Sequence, residues 1–145
     1  QDRVKMHGYT EHKTRELPTE SRTMSVNLIR LSHYLKPDIG VIDGTVGLQG
    51  NGPGGTDAVD LGVAAASADV YAVDAVISKA MGFEPLELGW LYYANDLGFG
   101  VADLEHIEVL DTSIEDVVVG FKPHEKNDLQ LQWQDKEANR YLQMA

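Results

Sequence analysis

Residues 41–57, Val-Ile-Asp-Gly-Thr-Val-Gly-Leu-Gln-Gly-Asn-Gly-Pro-Gly-Gly-Thr-Asp, constrain this chain more than any other stretch. They read as an interior strand that ends in a carboxylate, Asp43, and opens into a glycine-crowded loop. Ile39, Val41 and Ile42 favour a pleated backbone, and with Gly40 among them they suggest burial on both faces, as in a parallel or mixed sheet. The expected fold is α/β, with a mixed or mainly parallel sheet and helices packed on it.

The totals narrow the class. A chain of 145 residues fits one domain, and 43% hydrophobic content suffices for a real core. No apolar run is long enough for a transmembrane helix, and the first sixteen residues lack the pattern of a signal peptide, so the expected location is cytoplasmic. Cysteine is absent, so this chain cannot itself hold an iron–sulfur cluster through thiolates. Residues 38–121 carry fifteen acidic side chains against one basic, Lys79, within a net charge of −11. Nucleic-acid affinity rests on neutralising phosphates with Lys and Arg, and anionic membranes attract the same cations, so neither partner is expected.

Three segments follow from the pattern. Residues 1–17 are charged and without period, the mark either of a flexible terminus or of a piece cut from a larger domain. Residues 18–123 form the α/β domain, and residues 124–145 a partly helical tail. Residues 18–35 read as a helix with Met24, Leu28, Leu31 and Leu35 on its buried face, stopped by Lys36-Pro37. Thr19 or Ser21 is the expected cap. Residues 38–43 read as a strand, and residues 61–66 as either helix or strand. Residues 69–81 read as a helix capped by Asp69, and residues 84–97 as another with an aromatic side from Trp90 to Tyr93. Residues 106–110 and 117–121 read as strands. The five His are scattered, and each reads as a surface or satisfied side chain.

The loop Gly50-Asn51-Gly52-Pro53-Gly54-Gly55 formally fits G-x-G-x-x-G. Glycines let a ligand approach the main chain, and successive N–H groups can form an anion nest. A helix starting at Thr56 would add its partial positive charge. Against a dinucleotide site, the seven residues from Gly44 to Gly50 follow Asp43, where a fingerprint loop should leave its strand almost at once; Pro53 lacks an N–H, and no Lys or Arg lies between residues 38 and 78. In favour, Asp74 lies about where a ribose-binding carboxylate would. Asp43 and Asp74 could also share a divalent cation, with Thr45 or Asn51 as neutral ligands, or act as an acid–base pair. The competing account is a tight turn with Asp residues serving as caps.

Leu35-Lys36-Pro37-Asp38-Ile39-Gly40-Val41-Ile42-Asp43-Gly44, then Gly50-Asn51-Gly52-Pro53, then Ser67-Ala68-Asp69-Val70-Tyr71-Ala72-Val73-Asp74-Ala75-Val76 and Met81-Gly82 resemble domain-of-unknown-function family 362, from about Lys5 to Lys122. The resemblance implies an α/β domain often found beside ferredoxin-like [4Fe-4S] modules, with more sequence ahead of the point where this chain starts. Asp43, Gly50, Gly52, Pro53, Asp69 and Asp74 carry over as motif positions without assigned chemistry. Any cluster would need another chain or a region not present here.

Three functions compete. The first is a small-ligand or metal site between the loop (Gly50, Asn51, Gly52, Pro53, Gly54, Gly55) and Asp43, with Asp74 as second metal ligand, in a redox-associated protein. The second is a non-catalytic domain that docks an iron–sulfur module through its acidic surface. The third is a nucleotide-binding domain.

Overall fold

The computed structural model describes residues 17–52 and 56–134. Expectations for residues 1–16, with His7 and His12, for Pro53, Gly54 and Gly55, and for residues 135–145 lie outside them. The elements are helix α1 (Leu17–Tyr34), strands β1 (Gly40–Leu48) and β2 (Ala58–Ser67), helices α2 (Val70–Ala80) and α3 (Gly89–Asp96), and a short α4 (Asn127–Gln130). Single 3₁₀ turns lie at Pro85–Glu87, Leu104–His106, Ile114–Val117 and Leu131–Gln134. The chain is mixed α/β.

The sheet differs from the expected one. β1 and β2 pair antiparallel, with Asp43 opposite Ala64 and Leu48 opposite Ala58. The reason is length. Thr45, Val46 and Leu48 continue the strand past Asp43, leaving only residues 49–57 before β2. A parallel crossover needs about a dozen residues or more. The register slips between Gly44 and Val46, opposite Gly62, which takes φ +73°. This is a bulge on β2 at a residue that tolerates the left-handed region. Residues 61–66, ambiguous by composition, thus belong to a strand.

Among the described residues, the hairpin is covered on one side only. Gly40, Ile42 and Gly44 turn inward, whereas Val41, Asp43 and Thr45 are exposed. α2 packs on the inner side so closely that a Cβ at Gly40 would lie 2.8 Å from Val73 Cγ1. The burial on both faces inferred from Val41 is therefore corrected: Val41 is 72% exposed.

α1 lies where its periodicity puts it, but turned. Arg22, Ser25, Val26 and Ile29 are buried, while Met24, Leu28, Leu31 and Leu35 are exposed. Thr19 and Ser21 lie inside the helix, not at its start. Size selects the buried face. A Cβ at Gly89 would meet Ser25 Oγ at 2.5 Å, so the contact between α1 and α3 admits only small groups. Val26 and Ile29 then join Tyr71, Ala75, Leu91, Tyr93, Ala94, Ala102 and Trp133 in the main core. Trp133, from the tail, donates its Nε1–H to the Glu87 carbonyl at 2.8 Å.

The expected strands at 106–110 and 117–121 are not strands. After the turn at Leu104–His106 the chain is extended, with Ile107 and Val109 half-buried and Glu108 and Leu110 exposed. The alternation is real, but no neighbouring strand bonds to it among the described residues. Residues 118–121 instead strap the end of α2: Val119 N–H donates to Ala80 O at 2.7 Å and Phe121 N–H to Met81 O at 2.9 Å. They satisfy carbonyls that a helix end leaves unpaired. The helix expected over 84–97 splits into a 3₁₀ turn and α3, because Leu88 is extended at φ −87°, ψ 117°.

Candidate functional site

Asp43 is not at a strand end. It is the fourth residue of β1 and faces solvent. Its Oδ1 accepts hydrogen bonds from Thr45 Oγ1 at 2.6 Å and Thr45 N at 3.0 Å. The Thr45 hydroxyl, then its N–H, holds the Asp43 carboxyl below the usual carboxylate range. Asp74 lies on α2, half-buried. Burial raises its carboxyl above the usual range, partly offset by a hydrogen bond with Trp90. Asp43 thus points outward from the hairpin, whereas Asp74 belongs to the helix on the hairpin's other side. No cluster of three or more His, Cys, Asp or Glu suited to a metal ion occurs among the described residues.

The glycine loop is a hairpin connection, and a strand follows it, starting at Ala58. No helix begins at Thr56, so the favourable helix N-terminus that such a start would have added to a dinucleotide site is not there. The loop's described polar groups are turned onto the chain's own residues 122–125. Gly50, at φ +69°, donates its N–H to Lys122 O at 2.9 Å. Lys122 N–H donates to Gln49 Oε1 at 2.8 Å, and Glu125 N–H to Asn51 Oδ1 at 3.1 Å. Asp57 accepts from Lys122 Nζ at 2.8 Å and from Gln49 Nε2 at 3.0 Å, and the Lys122 bond leads in lowering its pKa. Gly52 is exposed. Gln49, Asp57 and Lys122 escaped the sequence reading because more than sixty residues separate Lys122 from either partner, beyond the reach of any spacing rule.

Asp69 acts as the cap its position suggested. Its Oδ1 accepts from Tyr71 N at 2.9 Å and Ala72 N at 3.4 Å, and its Oδ2 from Val101 N at 2.8 Å. A Cβ at Gly100 would sit 2.5 Å from that carboxylate, so the glycine allows the loop to close on it. Asn95 Oδ1 holds the same loop from α3, accepting from Ala102 N at 3.0 Å and Asp103 N at 3.3 Å.

Concave space lies elsewhere. A groove of about 510 Å³ runs between residues 63–67 of β2, the Val73–Val76–Ile77–Ala80 face of α2, and residues 107–112. Its one advance signal was the small-residue run in 61–66.

An acidic α/β domain built on a hairpin and three longer helices is the class this geometry defines. The chain belongs to the family described as Domain of unknown function (DUF362), whose model matches residues 1–79. That match ends inside α2, short of the Lys122 to which the motifs had extended the resemblance. The chain is also similar to the "Thylakoid-associated protein sll1697" of Synechocystis sp., at 32% identity over 71 residues, 49% of this chain and 22% of the relative. It thus spans about a fifth of that relative's length. No solved structure matches. No described helix is long and apolar enough to cross a membrane.

Proposed function

We propose that this chain is a non-catalytic docking domain that binds a basic protein module across its uncovered apolar faces. One observation carries the reading: Met24, Leu28 and Leu31 on α1, Leu35 just after it, and Val41, Val46 and Leu48 on the hairpin are all exposed. Exposed apolar patches mark interaction sites. The fifteen acidic side chains of residues 38–121 would steer a partner carrying the opposite charge. The ferredoxin-like module implied by the family motifs is the first partner to try.

Titration calorimetry of this chain with a purified basic [4Fe-4S] ferredoxin tests the reading. Binding should weaken as salt rises and be lost in the Leu28→Glu/Leu31→Glu variant. Binding that ignores both changes would overturn it.

A second reading rests on Asp43, which Thr45 holds ionised and open to solvent. As a one-carboxylate ligand for a divalent cation it predicts that calcium, magnesium or zinc raises the melting temperature of the protein but not of Asp43→Asn. Equal shifts in both would end that reading.

A further inference from the structure

The groove beside β2 is walled by residues 63–67 of β2 and by residues 107–112, with the Val73, Val76, Ile77 and Ala80 face of α2 as its floor. On one side, β2 pairs only with β1 among the described residues, which leaves the main-chain groups of its other edge outside the ladder. On the other side, residues 107–110 belong to no helix or strand and alternate half-buried and exposed before the chain bends at Asp111, φ +70°, and none of the N–H groups of residues 108–112 finds a backbone partner among the described residues. A strand edge with free N–H and C=O groups is a template for pairing with another chain.

Five strand residues occupy roughly 16 Å by 5 Å by 10 Å, on the order of 800 Å³ including their share of packing space. The partly open groove, about 510 Å³, thus encloses about three residues of a strand at that same packing. Ala64, Ala65 and Ala66 keep the β2 wall low, so an incoming backbone can approach it. Alternate side chains of a guest strand would meet Val73, Val76 and Ile77.

Charge selects the guest. Among the described residues no basic side chain lines the groove, while Glu108 and Asp111 do, both exposed. Glu115 and Asp116 are exposed just beyond it.

We infer that the groove takes an extended segment of a partner polypeptide, apolar at alternate positions and basic between them, which adds as a strand between β2 and residues 107–112. Main-chain pairing supplies the binding, and side-chain pockets with an acidic rim supply the choice. The inference concerns a different surface from the α1 face and does not rest on it.

A suitable probe is the blocked peptide Lys-Val-Lys-Val-Thr-Val-Lys, with a control of equal charge carrying proline at two alternate positions. Amide hydrogen exchange should slow by about tenfold or more at residues 63–67 and 108–111 with the first peptide only. Val76→Trp, which fills the groove from α2, should abolish the slowing. If that variant misfolds, Glu108→Lys/Asp111→Lys replaces it and should weaken peptide binding by about tenfold or more. Leu28→Glu/Leu31→Glu should leave the slowing intact, which separates this site from the α1 face. Three results would each overturn the inference: no slowing at either edge, equal slowing by the proline peptide, or slowing that survives both groove variants. Protection by a small apolar molecule with none by the peptide would make the groove a ligand pocket instead.

Discussion

The loop at residues 95–103 and the hairpin are built from similar material and treated in opposite ways. Both are rich in glycine and carry aspartates. Around the first, Asp69 and Asn95 accept five backbone hydrogen bonds between them, and Leu91, Ala94 and Ala102 beneath are fully buried. Among the described residues, the hairpin has one covered face, one bare face and an edge without a neighbour. An acidic residue that closes a backbone network locks structure, while one on a bare face stays available. The difference lies in what surrounds each carboxylate, not in the residue type.

The largest contrast should appear in truncations. Leu91→Ala should destabilise by about 2–5 kcal/mol, since it removes a buried side chain and leaves a cavity. Val41→Ala, on the bare face, should cost less than about 0.5 kcal/mol. Urea denaturation of both measures this, and equal losses would mean the hairpin's outer face is covered in solution.

Next comes Asp69→Ala. It removes a helix cap and the tie to Val101, and should cost about 1–2 kcal/mol. Fast exchange of the Val101 amide in this variant would confirm that the carboxylate holds the loop. Unchanged exchange there would reduce Asp69 to an ordinary cap.

A smaller effect of opposite sign is expected at Asp74. Burial raises its folded-state pKa, so its contribution to stability is present below the unfolded value and is lost as pH rises through the folded one. At neutral pH the buried charge is a cost. Asp74→Asn should therefore raise the melting temperature at pH 7, and the gain should shrink as pH falls through the carboxylate range. A loss at pH 7 would mean that the ionised carboxylate has a partner that matters.

The smallest effect belongs to Asp43. Thr45→Val should raise the Asp43 pKa, read by carbon-detected NMR titration, with little change in stability because the pair is exposed.

Local chemistry was legible from residue order. Asp69 precedes an apolar-periodic run and caps it, Lys36-Pro37 ends α1, and Gly82 and Gly98 stop the chain in the left-handed region after α2 and α3. Each works within one or two turns of backbone, where spacing alone determines which groups can meet. The loop of the candidate site was legible as glycine-rich, but not its direction of use. That depended on Lys122, which meets Gln49 and Asp57 only once β2, α2 and α3 have carried the chain back.

The sequence by itself determined that α1, α2 and α3 form, that Asp69 starts α2, and that the central region is acidic. Tertiary structure alone decided which side of α1 is buried, how β1 and β2 pair, and where concave space lies. α1 is apolar on two sides, so periodicity ranks them poorly. The contact of Ser25 with Gly89 settles the choice through size. Pairing and hollows come from groups far apart along the chain, and no local preference encodes their meeting.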